Sequence, residues 1–184
     1  LEQGGECPRF TTLPGTSFLT QEFGNVPFNL VNRQITFTPF SSGEGYSVCV
    51  RPATAFPVDP AGGTLLSILD DGSASIEFEE GPGFSFFGGQ YESVYVNANG
   101  NLSFTTSDGS YDPVAEVHFG LPRISLLFGD LNPGAGGSIS YQNTPEKLTV
   151  TYEEGPQYGT SNSNNAQVEL FSDGSIRITY LSVE

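Results

Sequence analysis

Few side chains in this 184-residue chain have the type and spacing needed for covalent chemistry. A serine nucleophile needs a base, yet His118 is the single histidine, it sits beside Phe119, and no Gly-x-Ser-x-Gly turn occurs. Glycosidases need only two carboxylates, and Glu79-Glu80 and Glu153-Glu154 are adjacent pairs, each followed by Gly-Pro. Neighbours in a strand point to opposite faces, so neither pair converges on one substrate. Both read as strand ends running into solvated turns, and the chain is expected not to be an enzyme.

Metal binding is the chemistry the residues support best. Calcium takes roughly six to eight oxygen ligands from carboxylates, amides and carbonyls. Two stretches are dense in them, Asp108-Gly-Ser-Tyr-Asp112 and Gly129-Asp130-Leu-Asn132. Asp108, Asp112, Asp130 and Asn132 are thus the candidate ligands for Ca²⁺, against the plainer reading that such residues bond their own backbone in turns. Two cysteines and one histidine do not make a four-ligand zinc site without carboxylates. Tryptophan is absent, so a sugar-stacking platform would fall to Tyr91, Tyr95, Tyr111, Tyr141 or Tyr158.

Six basic residues stand against 21 acidic ones, a net charge of −15. Such a surface repels nucleic acid and anionic membranes and draws cations. No apolar run approaches the roughly 18 residues of a membrane span, and no signal peptide is present. With no methionine, the chain is expected to be a processed product or an excised fragment. One lysine amid abundant Gly, Ser, Thr and Asn looks like an exported protein, where Cys7 and Cys49 read as a disulfide tying the N-terminus to a strand.

The elements that would carry these residues are strands. In 84–104, Phe84, Phe86 and Phe87 lead through Gly88-Gly89 into an alternating strand and a glycine turn. A three-residue loop, Ala98-Asn99-Gly100 with Gly100 left-handed, pairs Val96 with Leu102 and Val94 with Phe104, all on one face. The same plan pairs Ile68 with Ala74 around Asp70-Asp71-Gly72, and Leu170 with Ile176 around Ser172-Asp173-Gly174. A fourth hairpin, around Asn143-Thr144-Pro145-Glu146, pairs Tyr141 with Leu148. Asn97, Asn99 and Asn101 read as turn chemistry. Short β-like runs at 26–31, 34–40 and 46–50 precede a Pro- and Gly-rich linker at 51–63, and one helix of about two turns is expected at 112–118, capped by Asp112. Turns at this spacing predict an all-β antiparallel sandwich.

The central stretch with LPRISLLFGDLNPGAGGSISYQ and VELFSDGSIRITY resembles the NIDO domain, the extracellular region first named in nidogen, with many relatives in secreted bacterial proteins. The likeness runs from about Ile76 to Tyr180 through Tyr91–Gly100, Pro122–Leu131 and Gly136–Tyr141. Phe128 departs from it, standing where a tryptophan precedes Gly-Asp. The resemblance implies a secreted or cell-surface, non-catalytic structural or adhesive module and carries no catalytic residues. The expected organisation is an N-terminal arm and β-rich segment at 1–60 and the NIDO-like sandwich at 61–184. The expected partners are proteins, including other copies in a fibre built by strand addition, with the arm as donor to an edge left open at the C-terminal strand. The alternative function is a carbohydrate-binding module, with or without Ca²⁺.

Overall fold

The computed structural model describes residues 10–11, 19–20, 23, 27–43, 45–79 and 83–184. In chain order the elements are β1 (Phe10–Thr11), β2 (Arg33–Pro39), β3 (Tyr46–Pro52), a 3-10 turn (Pro60–Gly62), β4 (Thr64–Leu65), β5 (Ser73–Glu77), β6 (Phe84–Phe86), β7 (Gly89–Tyr91), β8 (Ser93–Asn97), β9 (Asn101–Ser103), α1 (Ala115–His118), β10 (Arg123–Ser125), β11 (Ser138–Asn143), β12 (Lys147–Gly155), β13 (Asn164–Phe171) and β14 (Ile176–Ser182). They form an eight-stranded sheet in the order β1-β3-β2-β14-β13-β12-β11-β4, a four-stranded sheet β10-β9-β8-β5, and the small pair β6-β7. Every pairing is antiparallel, which gives the all-β sandwich expected from the alternation of apolar and polar residues.

Apolar residues two apart along β8, β12, β13 and β14 supply the core: Val94, Val96, Leu148, Val150, Val168, Leu170, Ile176 and Ile178 are all buried. The aromatic cluster closes one end, with Phe84 stacked on Phe104 at 5.6 Å and Phe86 at 5.1 Å from the same ring. Two of the expected registers hold, Val96 opposite Leu102 and Leu170 opposite Ile176, with Gly100 and Gly174 both left-handed.

Other local expectations are corrected. Residues 66–78 do not form a hairpin: β4 joins β11 in the large sheet, whereas β5 joins β8 in the small one, Ala74 opposite Val96 and Ile76 opposite Val94. Ile68 and Ile76 are both buried, but Ile68 lies in the irregular stretch after β4 and only Ile76 on a strand, and alternation alone does not name the partner strand. The left-handed residue of that turn is Asp71, not Gly72. In the β11–β12 hairpin Tyr141 lies opposite Val150, two residues from the expected register, because Thr144 and Lys147 close the turn by bonding each other. A shift of two keeps every side chain on its face. The helix is shorter than expected, because Val114 stays extended and no side chain caps the first turn.

The outer edge of β14 is not open. β2 covers it, Ile35 opposite Ile178, and β3 and β1 follow, so the hairpin β2–β3 continues the same sheet as the C-terminal strand. Between β3, near one border of that sheet, and β4, at the other, the chain crosses the outer face as a strap over residues 53–63. Gln167 holds it, accepting from the Val58 N–H at 3.2 Å and donating to the Val58 carbonyl at 2.9 Å, while Gln142 donates to the Asp59 carbonyl. The buried outer-face residues Gln167, Thr151 and Glu169 thereby find partners: Gln167 bonds Thr151, and Glu169 receives Lys147 at 2.6 Å and Arg177 at 3.1 Å.

Candidate functional site

The β8–β9 turn organises one end of the sandwich. Asn97, Asn99, Asn101 and Ser103 are all completely buried. Asn99 reaches three separate loops: its Nδ2 donates to Asp71 Oδ1 at 2.8 Å and to the Ser110 carbonyl at 3.2 Å, and its Oδ1 accepts from the Leu131 N–H at 3.0 Å. Asn97 Nδ2 donates to Asn101 and to Ser103 at 2.9 Å each, and its Oδ1 accepts from the Asp108 N–H. Tyr152, from the opposite sheet, donates to the Asn97 carbonyl at 2.8 Å. The reading as turn chemistry holds for Asn101, which bonds Asn97 within the hairpin, and is corrected for Asn97 and above all Asn99, whose bonds reach segments outside it.

The segment 105–122 lies over the outer face of β9 and β10. Under it, Arg123 NH1 stands 2.7 Å from Asp108 Oδ2, with both side chains nearly fully buried. Burial pulls the Arg123 guanidinium down from its usual range, partly offset by Asp108. Arg123 also lies over the Phe128 ring at 4.6 Å, so the phenylalanine at this position supplies an aromatic face for the buried cation. His118 packs edge-on against the same ring at 5.1 Å, with its Nδ1 3.3 Å from Ser125 Oγ.

The expected metal residues are dispersed. Asp108 is committed to Arg123 and to the Ser110 N–H, and Asn132 Oδ1 accepts from the Ala135 N–H. Asp112 is exposed. Asp130 joins Asp70 and Asp71, residues that sequence reading placed in a turn: oxygens of the three carboxylates lie within 4.8 Å of one another. Desolvation pushes the Asp130 carboxyl up, with repulsion from Asp70 and Asp71 adding to it. By geometry and donor type, this trio is where a divalent cation would sit among the described residues. Leu69, Tyr111 and Tyr158, each in one of the converging loops or beside it, are exposed. Glu153 and Glu154 straddle a bulge of β12, with Glu154 left-handed and exposed. Cys49 lies on β3 and no described cysteine is free; Cys7 lies outside the described residues.

At this end of the sandwich the buried polar side chains of Asn97 and Asn99 fix loops, while Leu69, Tyr111 and Tyr158 stand exposed in or beside them. The NIDO-related family matches residues 45–184, and the chain belongs to that family. Alpha-tectorin is 30% identical over 140 residues in Homo sapiens and in Mus musculus, in each case taking in 60% of this chain. In Gallus gallus it is 31% identical over 135 residues, or 58% of this chain. In all three the match spans only 6% of the relative's length. No solved structure matches. Among the described residues no helix is long and apolar enough to cross a membrane.

Proposed function

We propose that this chain is a non-catalytic extracellular module that works by binding other proteins, itself included. The observation that carries the reading is the loop cluster around Asn99, which spends buried polar groups on holding loops rigid while leaving Leu69, Tyr111 and Tyr158 exposed. Rigid loops bearing exposed aromatic residues suit protein recognition, because little conformational entropy is lost on binding. Family membership and the likeness to a short stretch of alpha-tectorin support it. A Cys7–Cys49 bridge belongs to the same reading, since Cys49 is not free and the chain has one other cysteine. In its finer form the module is a fibre subunit: among the described residues β1 adds to β3 by the pairs Phe10 with Val48 and Thr11 with Ser47, a contact the arm of a neighbouring copy could replace. Light scattering and electron microscopy over a concentration series test this; filaments or growing particles are expected, and a strict monomer at high concentration refutes the fibre.

A second reading, glycan binding with Ca²⁺, is favoured by one observation: Tyr111 and Tyr158 are exposed in the loops that converge near Asp70, Asp71 and Asp130. A glycan array read with Ca²⁺ and with chelator separates it from the first, and an array blank in both conditions removes it.

A further inference from the structure

We infer that the free edge of β5 is a docking strand for an extended segment of another protein, one that alternates apolar and basic residues. The inference rests on the proposed role in protein contact and names where one contact is made and with what chemistry. Among the described residues β5 ends the small sheet, with β8 as its only neighbour there. Gly72 accepts from the Ala98 N–H at 2.8 Å and the Phe78 N–H donates to Glu92 at 3.0 Å, which sets the even-numbered residues of β5 bonding toward β8. The backbone groups of Ser73, Ser75 and Glu77 therefore point away from the sheet, and all three residues are exposed. Among the described residues only the Glu77 carbonyl finds a partner, the Asn143 Nδ2 at 2.8 Å. A row of unpaired N–H and C=O groups is the template for one more strand.

Charge selects the occupant. No Lys or Arg occurs between Arg51 and Arg123, whereas Asp70, Asp71, Glu77, Glu79 and Glu92 stand exposed on β5 and its flanks. A second copy of this chain would bring its own acidic edge against this one, and like charges oppose that pairing. On an added strand, the side chains beside Ser73, Ser75 and Glu77 would face solvent and acid, which suits Lys or Arg. Those beside Ala74 and Ile76 would extend the core face, which suits Val or Ile.

The test uses the whole chain and two fluorescently labelled octapeptides, one alternating Val and Lys, the other alternating Val and Glu, followed by anisotropy. The Val/Lys peptide is expected to bind at least about tenfold more tightly, with the preference shrinking between roughly 50 mM and 500 mM salt. Ser75→Pro removes an edge N–H that β8 does not use, so melting should hold while peptide binding falls. Glu77→Lys leaves the backbone intact and should shrink the peptide preference. Equal binding of both peptides, or no response to Glu77→Lys, overturns the inference. So does a dimer of the chain that Ser75→Pro dissolves, which would make a second copy the occupant. Peptide capture by a chain that never assembles retires the fibre and leaves the edge standing, whereas assembly without peptide capture does the reverse.

Discussion

Replacing Asn99 with alanine is the sharpest test of how this fold holds its loops. The side chain is fully buried and makes three hydrogen bonds: to the Asp71 carboxylate, to the Ser110 carbonyl and from the Leu131 N–H. A net bond between neutral groups contributes about 1 kcal/mol, and one to a charged group about 1.5–3 kcal/mol. The Leu131 N–H keeps its bond to the Gly129 carbonyl, so the loss is that of the three side-chain bonds, roughly 4–5 kcal/mol in all. In a domain of this size, each kcal/mol moves the midpoint by about 2–4 °C, so Tm should fall by roughly 8–20 °C. Asn99 is not left-handed, so alanine neither relieves nor adds backbone strain there. Circular dichroism melting gives the total, and amide exchange locates it, with Leu131 losing protection before the strands of the large sheet. A shift under about 2 °C, the scale of an ordinary surface change, would refute the clamp and restore Asn99 to plain turn chemistry.

Gly100→Ala should destabilise by about 2 kcal/mol or more, because φ is +73° and a Cβ would stand 2.8 Å from the Leu127 Cβ; denaturant melts read it. Asp130→Asn should raise Tm by about a degree or two at pH 7, since it removes a carboxylate held above its ordinary range by desolvation and by Asp70 and Asp71. That gain should vanish on acidification: a raised folded pKa favours the native state when protonated and costs stability once pH rises through it. Added Ca²⁺ should reverse the order of the two melts if the trio binds the ion, and leave the order unchanged if it does not. Tyr46, Tyr152 and Tyr180 are pushed up by burial, Tyr46 to about 12, so the unfolded chain ionises first. Stability should be flat to about pH 9 and then fall by roughly 4 kcal/mol in all by pH 11, followed by tyrosinate absorbance during unfolding.

The strands were readable from sequence because Val94, Val96, Val168 and Ile178 alternate with polar residues, and a buried face tolerates no slip of one residue. The turns at Gly100 and Gly174 were readable because a left-handed position in a tight loop selects glycine. Partner choice was not. Ile68 and Ile76 carry the same apolar pattern whether or not their segments pair, and only the assembled core leaves Ile68 outside a strand and sets Ile76 opposite Val94. The loop cluster was hidden for a related reason. Asp71, Ser110 and Leu131 carry no local mark that they converge on Asn99, because their bonds join positions far apart in the chain. The strap was read as a linker because Pro52, Pro57 and Pro60 bar regular structure equally in a tether and in a segment laid flat on a sheet.

The place of β2 against β14 bears on the order of events during synthesis. Ile35 is made early, yet the strand carrying its partner Ile178 is the last of the described strands to emerge. At roughly 5–20 residues per second, the first hairpin waits on the order of ten seconds for its seat, with Ile35, Phe37 and Val48 unburied. During that interval it is the part of the nascent protein most open to chaperones and to strands of neighbouring chains. Slowing translation between β3 and β14 should therefore lower the yield of native protein more than slowing it after β14.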